Sequence, residues 1–99
     1  ELYTKLAPGA LFVNCDKYAL DDNLMHRKSM AWQLSQYRQF IPLGKQELLY
    51  EWMKHEWEDN EKHRIMREHD SLRYLCELGF RDVKVMYRSH MHAILVAEK

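Results

Sequence analysis

The chain has 99 residues, enough for one small domain or a piece of one. Its 15 Lys and Arg balance 15 Asp and Glu. That excludes the basic excess of a dedicated nucleic-acid or anionic-membrane binder. A composition 46% hydrophobic and 30% charged can bury a core. No apolar run approaches the ~20 residues of a membrane span, and no basic-then-apolar leader opens the chain. A compact domain of this length has a radius of gyration of about 13 Å. The two cysteines, Cys15 and Cys76, each lie in an apolar run. They read as buried free thiols in a reducing, cytoplasmic compartment, with no disulfide between them.

In chain order, Glu1-Leu-Tyr-Thr-Lys-Leu6 reads as the last turns of a helix that begins upstream. Ala7-Pro8-Gly9 stops it, since Pro cannot continue a helix and Gly allows positive φ. Leu11-Phe-Val-Asn-Cys15 is apolar on both faces, the pattern of a strand inside a sheet. Asp16-Lys-Tyr18 is read as its end. Asp21-Asp22-Asn23 caps a helix running to about Phe40, with Met30, Leu34, Tyr37 and Ile41 on one stripe. Pro42 and Gly44 break it. A second long helix runs from about Lys45 to Glu61, with Leu48, Leu49, Trp52, Met53 and Trp57 as its apolar side. A third, short helix starts near Asp70 and ends at Gly79.

Two β segments close the chain. Asp82–Arg88 alternates polar and apolar over its first four residues, and Met91–Ala97 is apolar almost throughout. Ser89-His90 between them predicts an antiparallel hairpin, with the last strand inside the sheet and the alternating one nearer an edge. The expected architecture is α/β. It has a three-stranded mixed sheet in the order first, last, middle, the outer strands parallel, and about three helices. Residues 1–99 form one domain or fragment, with a helical insert or lid over residues 20–68.

Four strings fit this order. They are Lys5-Leu-Ala-Pro-Gly-Ala-Leu-Phe-Val13, Asp16-Lys-Tyr18, Leu75-Cys-Glu-Leu-Gly-Phe-Arg-Asp-Val-Lys-Val85 and Ala93-Ile-Leu-Val-Ala-Glu-Lys99. Together they resemble the C-terminal half of the class I, Rossmann-like S-adenosylmethionine (SAM)-dependent methyltransferases. In that family a Pro-Gly-Gly turn enters the fifth strand, a Gly-Phe segment enters the sixth, and an antiparallel seventh strand inserts between them. Ala10 stands where the second Gly belongs.

The family's Gly-rich cofactor loop and its ribose-binding acidic residue have no counterpart here. The resemblance therefore implies a fragment, cut before the fifth strand, that binds no cofactor alone. In the intact enzyme it implies SAM as cofactor and a small-molecule or tRNA-related acceptor. Asp16-Lys17-Tyr18 with the helical insert resembles the branch that includes the carboxy-SAM synthases of tRNA modification. Trp57-x-x-Asn60…Arg64 resembles small-molecule methyltransferases whose helices form a lid.

Candidate acceptor-site residues are Asn14, Asp16, Lys17 and Tyr18 at the carboxyl end of the first strand, where α/β sheets bind ligands. The plainer reading is a strand-end ion pair and a packed tyrosine. Trp57 joins the candidates with Trp52, His55 and Arg64, either as an aromatic lid or as an ordinary amphipathic helix. Arg88 meets an anionic substrate group or pairs with a surface carboxylate. His90-x-His92 shares a strand face but lacks a third ligand, so no metal site is expected. No catalytic residue can be assigned. The open edge of the first strand predicts a homodimer or swapped assembly of the fragment. The rival reading is a small, non-enzymatic dimeric module with Trp52 and Trp57 as interface anchors.

Overall fold

The computed structural model describes residues 1–61 and 65–99, with the side chains of residues 60 and 61 outside the description. Its elements are α1 (Leu2–Lys5), β1 (Leu11–Ala19), α2 (Asn23–Gln36), a 3₁₀ turn (Tyr37–Phe40), α3 (Gln46–Glu61), β2 (Met66–Arg67), α4 (Glu68–Glu77), β3 (Arg81–Ser89) and β4 (His92–Glu98). They form an α/β arrangement with four α-helices around a four-stranded mixed sheet, ordered β2-β1-β4-β3.

The expected core of the topology is present. β4 is antiparallel to both β1 and β3, so those two run parallel to each other. The fourth strand is a correction to the three-stranded expectation. Met66 and Arg67 pair parallel with Tyr18 and Ala19. Two residues carry no readable period, which is why the sequence pattern misses them. Beyond that short pairing, the outer edge of β1 from Leu11 to Lys17 has no partner strand among the described residues.

β1 runs through its expected end at Asp16-Lys17-Tyr18 as far as Ala19. Asp16, Lys17, Tyr18 and Ala19 stay extended because β4 pairs with the first two of them and the Tyr18 N–H donates to the Met91 carbonyl at 2.8 Å. Ladder hydrogen bonds hold a polar segment in a strand that side-chain hydropathy alone would end.

Local signals explain the helix ends. Asp22 accepts a hydrogen bond from the Met25 N–H at 2.8 Å and caps α2. α4 closes with a pair of bonds, Gly79 N–H to the Cys76 carbonyl and Phe80 N–H to the Leu75 carbonyl, at 3.0 and 3.2 Å. Gly79 takes φ +105°, which a side chain at this position would strain. That turn aims Phe80 into the core.

The core lies on one face of the sheet. Ala93, Leu95 and Ala97 of β4 meet Tyr18, Leu75 and Phe80, with Tyr3, Leu6 and Phe12 packed around them. The opposite face is open over Leu11 and Val13, which are 64% and 59% exposed. Alternation puts Cys15 on that open face too, and Cys76 lies exposed on α4, so both are exposed free thiols, not the buried ones their apolar neighbours imply. A register shift between Val85 and Tyr87 breaks the alternation of β3 and leaves both Met86 and Tyr87 outside.

The chain is elongated, measuring 51 × 26 × 23 Å with a radius of gyration of 16.5 Å. That exceeds the about 13 Å of a compact domain of this length. No helix among the described residues is long and apolar enough to cross a membrane.

Leu95 is fully buried in the central strand. Leu95→Ala is expected to cost about 3 kcal/mol of unfolding free energy by urea titration. Met86→Ala, on the exposed edge strand, is expected to stay within about 0.5 kcal/mol.

Candidate functional site

The carboxyl end of β1 carries a network that ties it to the helices. Lys17 Nζ lies 2.8 Å from Glu56 Oε2 and 3.8 Å from Asp59 Oδ2. Glu56 Oε1 accepts the Tyr37 hydroxyl at 3.0 Å, and Tyr37 accepts from Gln33 Nε2 at 3.2 Å. Asp59 Oδ2 lies 3.2 Å from His55 Nε2. One strand, the 3₁₀ turn and two helices thus meet at a Glu56 that is only 3% exposed.

Glu56 sits inside because α3 packs against the 3₁₀ turn, where the Trp52 ring lies 6.0 Å from that of Tyr37. Leu49, Trp52, Met53 and Glu56 follow helical spacing, and Glu56 reaches both Tyr37 and Lys17 of β1. A buried carboxylate requires a positive or hydrogen-bonding partner. Lys17 and Tyr37 supply one of each.

A cavity of about 280 Å³ opens beside the network, lined by Asp16, Lys17, His55, Asp59, Ile65 and Met66. His55 stands at its mouth, its side chain 56% exposed. Asp59 Oδ2 beside Nε2 fixes the orientation of the ring. The wall combines carboxylates, an ammonium and an imidazole, an arrangement suited to orienting a polar ligand and moving a proton to or from it.

The six sequence candidates are not brought together. Lys17 and Asp16 line this cavity. Asn14 and Tyr18 hydrogen-bond to each other on the other face of β1 and line a separate, apolar cavity. Alternation along the strand sends Lys17 to the face opposite Asn14 and Tyr18, and Asp16, of the same parity as those two, meets the Lys17 cavity only at the strand's end. Trp57 is 66% exposed and lines neither cavity. It sits one residue round the helix from buried Glu56, so it turns away.

Arg88 is a structural anchor. Its Nη1 donates to the carbonyls of Tyr18 at 3.1 Å and His90 at 2.9 Å. Its Nη2 lies 3.2 Å from the Glu68 carboxylate, off the line of a hydrogen bond. Trp52 packs edge-on to His55, with ring centroids 5.9 Å apart. Arg64 and the Asn60 side chain lie outside the described residues. His90 stacks on Trp32, centroids 3.6 Å apart and planes 4° from parallel. No group of three or more potential metal ligands forms among the described residues.

Glu56, Tyr37, Asp59 and Gln33 are the site residues that sequence reasoning misses as functional. Tyr37 reads as core stripe, which it is in part. Glu56 had a legible signal, a carboxylate on the apolar side of a helix. No protein-family model matches the chain, and no curated protein sequence matches it.

Lys17→Met removes the ammonium and strands the Glu56 carboxylate, at an expected cost of roughly 3 kcal/mol. Adding Glu56→Gln in the same chain is expected to recover most of that loss. Urea unfolding of the wild type, both singles and the double closes the cycle, and simple additivity would show the two charges uncoupled.

Burial is the main force raising the Tyr37 hydroxyl above its ordinary 10.0; the Gln33 hydrogen bond opposes it, while the Glu56 charge and hydrogen bond add to it. Above that ordinary value the folded state keeps a proton the unfolded chain has released. Tyr37 therefore contributes stability that is full below pH 10.0 and lost as pH rises through the raised folded value. Tyr37→Phe is expected to lose less of its urea midpoint than the wild type between about pH 9 and about pH 11.

Proposed function

We propose that the chain is the C-terminal part of a class I SAM-dependent methyltransferase domain of the small-molecule or carboxy-SAM-synthase-like branch, acting in the cytoplasm. Its activity is transfer of a methyl group from SAM to an acceptor seated beyond the carboxyl end of β1. The observation that carries this reading is β4. It lies antiparallel between two parallel strands, the first entered from Pro8-Gly9 and the second from Gly79-Phe80. Ligands of open α/β sheets sit beyond strand carboxyl ends, where the Lys17 network and its cavity lie.

The residues present do not fit SAM itself. A cofactor cradle needs clustered glycines that let backbone approach the ligand. Gly9, Gly44 and Gly79 are separate turn positions, each with positive φ. The cofactor is therefore assigned to sequence outside these 99 residues, and the chain alone is inactive. Its own share is the acceptor: Asp16 and Asp59 orient a polar group, Lys17 is held by its ion pair with Glu56, and His55 offers the acceptor a hydrogen-bonding imidazole. The unpaired stretch of the β1 edge favours a homodimer or swapped assembly of the isolated chain.

A second reading, a dimeric module with an aromatic interface, draws on Tyr50 and Trp57, which are 65% and 66% exposed on α3. It expects Trp57→Ala to weaken self-association in sedimentation experiments.

Calorimetry separates the two. SAM titrated into the 99-residue chain is expected to give no binding, and SAM titrated into a longer gene product containing it is expected to saturate. A longer product blind to SAM, or the lack of one, overturns the enzyme reading.

A further inference from the structure

The second cavity lies on the core side of β1 and takes no part in the Lys17 network. Its volume is about 330 Å³. That falls at the lower end of small-molecule sites, roughly 300–1,000 Å³, and sizes a ligand of one or two fused rings. Phe12, Tyr18, Tyr74, Leu75, Phe80 and Leu95 are among the residues that line it.

The wall is held in place before any ligand arrives. Lys99 Nζ donates to the carbonyls of Tyr3 at 2.7 Å and Leu6 at 2.8 Å, fixing α1 to the last residue of the chain. The same ammonium lies 4.6 Å over the Tyr3 ring. Tyr3 meets Phe80 edge-on at 4.9 Å, and Phe80 lies 5.7 Å from Phe12. These contacts line one side of the cavity with ring faces and edges, which favour an aromatic guest over an aliphatic one.

The polar end is small and neutral. Asn14 Nδ2 donates to the Tyr18 hydroxyl. That leaves the Asn14 carbonyl oxygen as an acceptor and the Tyr18 hydroxyl hydrogen as a donor, neither with another partner among the described residues. The Ser71 hydroxyl lies on the same wall, and the one carboxylate in the lining is Glu1. Among the described residues the lining includes no Lys, Arg or His side chain to hold an anion.

We infer that this cavity binds a neutral aromatic molecule of one or two fused rings bearing a single hydroxyl. The rings lie among Phe12, Tyr74 and Phe80, and the hydroxyl donates to Asn14 while accepting from Tyr18. The inference is independent of the methyltransferase reading, since it needs neither SAM nor the Lys17 network.

The test is an NMR titration of the 99-residue chain with 2-naphthol, naphthalene and 2-naphthoate. Saturable binding of 2-naphthol is expected, about fivefold tighter than naphthalene and tighter than 2-naphthoate. Shifts should centre on the Asn14 side-chain amide. Tyr18→Phe is expected to bring 2-naphthol close to naphthalene while leaving naphthalene unchanged. Ser71→Phe, which fills the cavity from α4, is expected to abolish binding of both without lowering thermal stability.

Failure of 2-naphthol to saturate overturns the inference. So does equal binding of naphthol and naphthalene with no effect of Tyr18→Phe, which would leave a merely greasy hole. Tightest binding by 2-naphthoate would contradict the neutral polar end. Binding by the 99-residue chain but not by a longer gene product would give the cavity to preceding chain instead.

Discussion

The fold depends on a single strand being buried between two others. β4 supplies Ala93, Leu95 and Ala97 to the core, each no more than 1% exposed, and gives its edges to β1 and β3. Without it β3 would have no ladder partner among the described residues, β1 would keep only its short pairing with β2, and the two would share no wall. α1 and α4 then have one surface to cover, the side where Leu95 points. The C-terminal residue completes the arrangement, because Lys99 reaches back to the carbonyls of Tyr3 and Leu6. The first helix, the last strand and the last residue are one packing unit although they lie at opposite ends of the chain.

The long helices are attached differently. α2 and α3 rest on the sheet through polar and aromatic points. One is the ion pair of Lys17 with Glu56. Another is the stack of Trp32 on His90, at the hairpin turn where His90 takes a φ of 53°. Such attachments bury little apolar area, and the elongated shape follows from them. Directional contacts of this kind fix orientation more than they add stability. That is the property a site at the seam between two units requires.

Much of the fold was legible. Pro8-Gly9, the Asp22 cap, the Gly79 turn and the apolar run of β4 are local signals, and each sits where its chemistry demands. The sheet order followed from the contrast between an alternating β3 and a uniformly apolar β4. What was illegible was set by tertiary pairing. Asp16 to Ala19 are strand because β4 and Met66-Arg67 offer hydrogen bonds, not because of their side chains. Cys15 was misjudged for a related reason. Apolar neighbours in a strand imply burial only if both faces are covered, and the face bearing Leu11, Val13 and Cys15 is open.

The site was half legible because a strand and a helix distribute neighbours by different rules. Four candidates in a row, Asn14, Asp16, Lys17 and Tyr18, look like one cluster in the sequence. A period of two sends Asn14 and Tyr18 to the core side and Lys17 to the helical side. On α3 the period of 3.6 does the reverse and gathers residues that are apart in sequence. It sets Trp52, Glu56 and Asp59 along the side that meets Lys17, and turns Trp57 to water. A carboxylate at position 56 is therefore more informative than the tryptophan beside it. Buried without Lys17 and Tyr37, it would cost several kcal/mol. Buried with them, it sets the rotation of α3 about its own axis, and with it the presentation of Asp59 and His55 to the cavity.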